Sequence, residues 1–158
     1  MKFEIVPSIR EHILPIADDM RICDVKEIFA TALATPKEAL EYGFEKGKQT
    51  YTALVDDRPA IMFGVVSGGL LSNKGIPWLL ATNDVKKVKK KFVQNSLPYV
   101  EQFLSQYKCL ENYVHEENED SIRWLEWCGF ELVERVKYGM MQEWFWRFRK
   151  ENEVCAIQ

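Results

Sequence analysis

The run QTYTALVDDRPAIMFGVVSGG, residues 49–69, restricts the possible folds more than any other feature of this chain. Two stretches rich in β-branched and aromatic residues, about 50–55 and 60–67, flank the turn-forming residues DDRP, which predicts a β-hairpin. A hairpin requires antiparallel neighbours, whereas strands joined through helices elsewhere in the chain require crossover connections. The sequence therefore predicts an α/β fold with a mixed, mostly antiparallel sheet and helices on both faces.

The chain begins with one predicted strand, residues 2–6, and continues into helices. Apolar residues recur at helical spacing over residues 8–34, and Pro15 and the aspartate pair after it divide this run into two helices. The stretch 35–43 begins with Thr-Pro and ends with Gly, which predicts a third short helix. The apolar positions that carry the periodicity of the longer run are Ile9, Ile13, Ile16, Ile22, Val25, Ile28, Phe29 and Leu33.

After the hairpin, a third β-rich run at 75–82 leads into a long helix that begins at Val85. Pro98 is predicted to bend or restart this helix, which continues to about Tyr107. The lysines of 86–91 lie mostly off its apolar stripe, so we interpret them as a solvated helix face rather than a phosphate-binding patch. Candidate caps of the helix are Thr82, Asn83 and Asp84.

The last third of the chain predicts a strand, a short helix and a second hairpin. The strand covers 109–118, the helix lies within 118–130, and the hairpin strands are 130–136 and 140–150. Period-2 alternation in the last strand places three large aromatic residues on one side, where we expect them to face the core. These residues are Trp144, Trp146 and Phe148.

Length and composition predict one packed domain over residues 1–150, followed by a tail at 151–158. The chain has 158 residues, of which 47% are hydrophobic, and a net charge of -3, so nucleic acid is not an expected partner. No stretch approaches the run of about 18 apolar residues that a membrane span requires. The four cysteines are scattered and only two histidines are present, so no metal site or disulfide framework is expected.

Residues 118–130, NEDSIRWLEWCGF, combine a polar start, an amphipathic run and a Gly-Phe end. With the element order above, this stretch resembles the GNAT (Gcn5-related N-acetyltransferase) fold. The late helix of that family commonly reads Asn-x-x-Ala/Ser-h-x-h-Tyr-x-x-h-Gly-Phe, where h is apolar. We interpret Trp124 and Trp127 as core or interface residues. The positions that match the motif are Asn118, Ser121, Ile122, Trp124, Cys128, Gly129 and Phe130.

The resemblance implies a coenzyme A site where the fourth strand meets the following helix. In active members, a Gln/Arg-x-x-Gly-x-Gly/Ala turn there presents bare backbone N–H groups to the pyrophosphate. Here the run LLATNDVKKVKK contains no glycine, and the Asp84 carboxylate is expected to compete for the helix N-terminal N–H groups. Candidate coenzyme contacts are Leu80, Ala81, Thr82, Lys86, Lys87, Asn118 and Ser121.

The catalytic groups of active members are not found at their usual positions. Leu125 stands where the family carries the general-acid tyrosine, and leucine cannot donate a proton. The fourth strand, which supplies a carboxylate base in many members, reads IPWLLA and is apolar. The sequence therefore leaves the catalytic residues unknown. The titratable residues clustered near the fifth strand are Glu111, His115, Glu116 and Glu117.

The run WLLATNDVKKVKKKF, followed by LENYVHEENEDSIRWLEWCGFEL, is similar to the small internal virion protein family of podovirus-type bacteriophages over about 76–137. That resemblance implies a phage protein with a degenerate acetyltransferase site, present in the host cytoplasm or the virion. Its expected partner is a virion or host protein, and the absence of a cofactor is favoured over acetyl-CoA. The alternative is an active acetyl-CoA-dependent N-acetyltransferase that modifies a host protein or a small-molecule amine. The oligomeric state is left open.

Overall fold

The computed structural model describes residues 1–152 and places seven strands of this part of the chain in one sheet. Their order across the sheet is first, second, third, fourth, fifth, seventh, sixth, and only the fourth and fifth are parallel. The predicted mixed, mostly antiparallel sheet is therefore confirmed. The strands are β1 (Phe3–Pro7), β2 (Gln49–Val55), β3 (Arg58–Ser67), β4 (Lys74–Ala81), β5 (Cys109–His115), β6 (Glu131–Tyr138) and β7 (Glu143–Glu151).

Helices cover both faces of this sheet, as the sequence predicts. Met62 and Phe63 are adjacent in β3, so their side chains point to opposite faces of the sheet. Both are buried, which shows that both faces are covered here. Met62 packs with Ile16 and Leu40, whereas Phe63 belongs to the larger core that the later helices cover. The helices within residues 1–152 are α1 (Ile13–Asp18), α2 (Ile22–Ala32), α3 (Pro36–Lys46), α4 (Val85–Leu104) and α5 (Glu119–Trp127). In this part of the chain, none is long and apolar enough to cross a membrane.

The bend in α4 lies at its first turn and not at Pro98, so that prediction was wrong. Val88 has φ -128° and ψ 18°, which are not helical values. The N–H groups of the preceding residues 85–87 bond to carbonyls three residues back, and this tight turn changes to α-helix at Val88. Proline has no N–H group, so Pro98 leaves the carbonyl four residues earlier without its helical hydrogen bond. Pro98 is exposed, so this carbonyl can bond to water and the helix continues.

The last hairpin differs from the prediction in where its second strand begins. β7 starts at Glu143, because residues 139–142 form the turn instead of extending the strand. Phe148 is buried and Trp146 is half-buried, as expected for a core-facing row. Trp144 is exposed, which corrects the prediction. It lies near the hairpin end, where the Arg135 guanidinium stacks 4.0 Å from its ring centre.

Two helices carry large apolar residues on their outer sides. In α5, Trp124 is half-buried and donates from Nε1 to Ser96 Oγ at 3.0 Å, whereas Trp127 is half exposed. In α2, Val25 and Ile28 pack against the core. The other apolar positions of α2 and its end point to solvent. These positions are Ile22, Phe29 and Leu33.

The structure describes the chain to one residue past β7, and the predicted domain end at residue 150 stays a prediction. Glu151 is the last residue of that strand, and the Asn152 N–H donates to the Lys108 carbonyl at 2.8 Å. Most of the predicted tail at 151–158, from residue 153 onward, lies outside the described residues, so the tail stays a prediction.

Candidate functional site

The sheet opens between its two parallel strands. β4 and β5 pair only at Lys74 with Cys109 and Gly75 with Leu110, and beyond these pairs the strands separate. Pro77 lies in β4 just past these pairs, and it has no N–H group to donate a hydrogen bond to a neighbouring strand. Instead, the Asn112 side-chain amide donates to the Pro77 carbonyl at 2.8 Å across the gap. The separation creates a cleft beside the C-terminal ends of parallel strands, which is a common place for ligands in α/β folds.

A cavity of about 570 Å³ occupies this cleft. Its volume lies in the range of about 300–1,000 Å³ found for small-molecule sites. The aromatic rings of Tyr113 and Tyr138 stack with their centres 3.8 Å apart and form part of the wall. Leu125 also lines the cavity and is buried. At this position, where the resemblance predicts a general acid, the side chain cannot donate a proton. The other aromatic lining residues are Tyr42, Trp78, Trp124 and Phe148.

Glu27 of α2 places a carboxylate in the cavity wall. Its Oε1 accepts the His115 backbone N–H at 2.6 Å. Burial raises the pKa of Glu27 to about 7, and the nearby Asp24 charge adds to this shift. A carboxyl group with this pKa exchanges its proton near neutral pH, so Glu27 can act as a proton acceptor or donor.

Sequence reasoning did not select Glu27, although the chain carries a signal for it. Asp24 and Glu27 are three residues apart, so they share one side of α2. That side also carries Val25 and Ile28, which pack against the core. Acidic residues on a core-facing side of a helix are unusual, because a buried carboxylate needs a specific partner.

The N-terminal end of α2 is fastened to the end of β4 by a buried ion pair, which we call the Arg21–Asp24 clasp. The fully buried Asp24 carboxylate accepts from Arg21 Nε at 2.9 Å and Nη2 at 2.8 Å, and from the Ala81 N–H at 2.9 Å. The Arg21 N–H donates to the Ala81 carbonyl at 2.9 Å, and Met20 forms a β-bridge with Thr82. The end of β4 is therefore already paired with another part of the chain.

The turn from β4 into α4 is also internally bonded. The Thr82 N–H donates to the Ala60 carbonyl, and the Asp84 N–H lies 3.3 Å from the Thr82 hydroxyl, which accepts from it. The Asp84 carboxylate does not cap the helix, which corrects that prediction, because it pairs with Arg58 at 2.9 Å and Lys87 at 3.1 Å. The next N–H groups donate to carbonyls in the same turn: Val85 to Thr82, Lys86 to Asn83, and Lys87 to Asp84.

The predicted coenzyme contacts fall into two groups. Ala81, Thr82, Asn118 and Ser121 lie around the clasp: the buried Asn118 amide is 3.4 Å from Asp24, and Ser121 Oγ accepts from Arg21 at 3.2 Å. Leu80 is buried next to them in β4 and also lines the cavity. Lys86 and Lys87 are exposed in the first turn of α4, where Lys87 pairs with Asp84 at 3.1 Å. Their role as coenzyme contacts stays a prediction.

The predicted catalytic candidates near β5 are engaged in separate ion pairs. Burial disfavours the charged form of Glu111, but its basic partners outweigh this effect and lower its pKa. The hydrogen bond from Arg135 is the main cause that lowers the pKa of Glu116. Both carboxylates are thus weaker bases than Glu27, and their catalytic role stays a prediction. The ion pairs are Glu111 with Arg147 (2.6 Å) and Lys74 (3.0 Å), Glu116 with Arg135 (2.8 Å), and His115 with Glu143 (3.0 Å).

The strand order, the opening between the parallel strands and the helices on both faces define a GNAT fold. Three solved structures share it over nearly the whole chain. They are smu.2055 from Streptococcus mutans UA159 (TM-score 0.70, 13% identity, 94% of this chain and 98% of that chain); aminoglycoside N(6')acetyltransferase from Legionella pneumophila (0.69, 14%, 100% and 98%); and spermidine N-acetyltransferase from Vibrio cholerae, in complex with CoA and spermine (0.68, 11%, 99% and 98%). At these identities the likeness shows the fold alone.

A family model described as bacteriophage T7, probable scaffold protein Gp13, matches residues 62–135. The match runs from within β3 into β6, so it includes the end of β4, the turn into α4, and α5. The predicted similarity to a phage protein family is confirmed by this match. No curated protein sequence matched the chain.

Proposed function

We propose that this chain is a GNAT-fold phage protein that works by binding another protein, in the virion or in the host cytoplasm, and that its acetyltransferase site is degenerate. The observation that carries the proposal is the Arg21–Asp24 clasp. It pairs the backbone of Ala81 at the end of β4, where the family would place the coenzyme. The scaffold-protein description of the matching phage family supports a role in assembly.

The clasp affects coenzyme binding through the free energy needed to open it. Breaking a buried ion pair costs about 3–5 kcal/mol, and each 1.4 kcal/mol is about a tenfold change in an equilibrium constant. If the coenzyme needs an open clasp, its apparent affinity falls by about 100- to 4,000-fold. The α4 turn gives no compensation, since the N–H groups of Val85, Lys86 and Lys87 already have carbonyl partners.

Thermal unfolding in the presence of acetyl-CoA tests this proposal. A ligand at 100 times its Kd stabilises a folded protein by about 2.7 kcal/mol, which is a readily measured shift. We expect no shift for this chain at millimolar acetyl-CoA. The Vibrio cholerae spermidine N-acetyltransferase, which was solved with CoA, is the positive control. Micromolar binding by the wild-type chain would overturn the proposal.

A second candidate function is N-acetyl transfer from acetyl-CoA to an amine, and the Glu27 cavity favours it. A carboxyl group with a pKa of about 7 is suited to accept the proton of an ammonium group near neutral pH. The cavity holds acidic and aromatic residues that can surround such a cation. In this case Glu27 is the general base, and it replaces the carboxylate that β4 does not supply.

The test of the second candidate is release of the coenzyme thiol in the presence of acetyl-CoA and an amine. Turnover should rise with pH through about 7 in the wild type, because Glu27 must be ionised. Glu27→Gln should abolish it, whereas Glu126→Gln, a change at an exposed α5 carboxylate, should leave it unchanged. Equal turnover by wild type and Glu27→Gln would exclude this role.

A further inference from the structure

The helix α2 carries large apolar residues on its outer side as well as on the side that faces the core. Phe29 and Leu33 follow Ile22 by 7 and 11 residues, so the three side chains lie along one ridge of the helix. The exposed Lys26 lies on the same ridge, between Ile22 and Phe29. All three are exposed, although Val25 and Ile28 already provide the contact with the core. Large apolar side chains that are exposed together mark a surface that another molecule can cover.

The β6–β7 turn extends this ridge. The Met140 N–H donates to the Thr31 carbonyl at 3.0 Å, and the Met141 N–H donates to the Ala30 carbonyl at 3.1 Å, so the turn is bonded to the end of α2. Both methionine side chains are exposed. We call the surface formed by Ile22, Phe29, Leu33, Met140 and Met141 the α2 face.

We propose that the α2 face binds a second copy of this chain, with the two α2 helices antiparallel about a two-fold axis. This inference does not depend on the cleft or on the proposed function. A two-fold interface uses the same surface on both partners, so the surface must complement itself. In an antiparallel pair that places Ile22 opposite Leu33, the exposed Lys26 of each copy lies opposite Phe29 of the other, where its ammonium group can contact the ring face.

The area of the α2 face agrees with what a stable homodimer needs. Its five side chains are between 47% and 67% exposed. If a large side chain offers about 200 Å², they present on the order of 500 Å². A standard interface buries about 800 Å² per partner, of which about 65% is apolar in homodimers, or about 500 Å².

The charges at the two ends of the ridge select an antiparallel second copy. Asp18 and Asp19 are exposed just before Ile22, and neither makes an ion pair with any residue in 1–152. Lys137, three residues before Met140 of the turn that extends the ridge, lies over the Trp144 ring and has no carboxylate partner within the same described range. In an antiparallel pair, the acidic end of each copy meets the basic end of the other.

Sedimentation velocity of the full chain over a range of micromolar concentrations tests the proposal. We expect a concentration-dependent dimer for the wild type, and a monomer for Phe29→Asp and Met140→Asp. Leu70→Asp is the matched control, because Leu70 is fully exposed in the β3–β4 loop, away from the α2 face. It should dimerise like the wild type. Circular dichroism establishes that each variant is folded.

Charge reversal tests the orientation. Asp19→Lys alone and Lys137→Glu alone should each weaken dimerisation by about tenfold, since each places like charges opposite one another twice per dimer. The two changes in the same chain should restore the wild-type Kd. A monomeric wild type, or a dimer that persists in both Phe29→Asp and Met140→Asp, would overturn the proposal. Failure of the double variant to recover would refute the antiparallel arrangement.

Discussion

Replacing Asp24 by alanine should destabilise the fold more than most single substitutions, because it leaves the buried Arg21 guanidinium without its counter-charge. The carboxylate accepts two hydrogen bonds from Arg21 and one from the Ala81 N–H, all between 2.8 and 2.9 Å. Removing one partner of a buried ion pair costs about 3–5 kcal/mol. For a domain of this size, about 1 kcal/mol lowers Tm by about 2–4 °C, so we expect a fall of about 6–20 °C.

Urea denaturation of four chains separates the ion pair from simple packing. These are the wild type, Asp24→Ala, Asp24→Leu and the double variant Arg21→Met, Asp24→Leu. Replacing both members of a buried pair by apolar residues of similar volume is often close to neutral. We therefore expect the double variant to recover most of the stability that Asp24→Leu loses. Glu45→Ala, which removes the exposed partner of Arg10 from helix α3, is the control for losing a surface carboxylate.

A loss below about 1 kcal/mol for Asp24→Ala would refute this account of the clasp, because that is the value typical of an exposed ion pair. In that case, opening the clasp would require little free energy. The clasp would then not keep the coenzyme from the end of β4.

Three further predictions concern the cavity and the hairpin. Glu27→Gln should be similar in stability to the wild type at pH 4.5 and more stable than it at pH 8, by at most about 3 kcal/mol. The reason is that the raised pKa of Glu27 stabilises the fold below pH 4.5, and this contribution is lost as pH rises to about 7. Leu125→Tyr should lower stability by about 1–3 kcal/mol by overpacking, without producing acetyl transfer. Gly139→Ala should lower Tm and weaken dimerisation, because Gly139 has φ +80° and a Cβ there would lie 2.6 Å from the Ala30 carbonyl oxygen.

The measurement for Glu27→Gln is the urea midpoint at the two pH values. Leu125→Tyr is tested by thermal unfolding with a thiol-release assay, and Gly139→Ala by thermal unfolding and sedimentation velocity. Equal stability differences at pH 4.5 and pH 8 would contradict the raised pKa of Glu27. Acetyl transfer by Leu125→Tyr would show that only the tyrosine was missing. An unchanged Tm for Gly139→Ala would mean that the turn is not held against α2 as described.

Local patterns predicted the architecture well because they depend on residues close in sequence. The DDRP hairpin and the helix that ends before Gly129 both follow from turn and cap chemistry that acts over a few residues. The errors at Pro98 and at the start of β7 arose where other contacts decided the outcome. Exposure allows the helix to continue through Pro98, and bonds to α2 hold Met140 and Met141 in a turn.

The candidate site was less predictable because it is assembled from distant segments. Asp24 contacts Ala81, 57 residues away, and Glu27 contacts His115, 88 residues away. No short motif brings these pairs together. The motif at 118–130 correctly predicted the helix α5, but the partners of Asn118 and Ser121 come from α2 and the residue before it.

The short pairing between β4 and β5 divides the sheet into two units that can open separately. Strands β1–β4 are joined by long antiparallel ladders, and so are β5–β7, but only two residue pairs join the groups. Sub-global opening follows boundaries with few bonds. Amide hydrogen exchange should therefore report two cooperative blocks, one for residues before α4 and one for residues after it. Across the seam Asn112 bonds to Pro77, Arg21 to Ser121, and the His115 N–H to Glu27, so these contacts set how closely the two blocks exchange together.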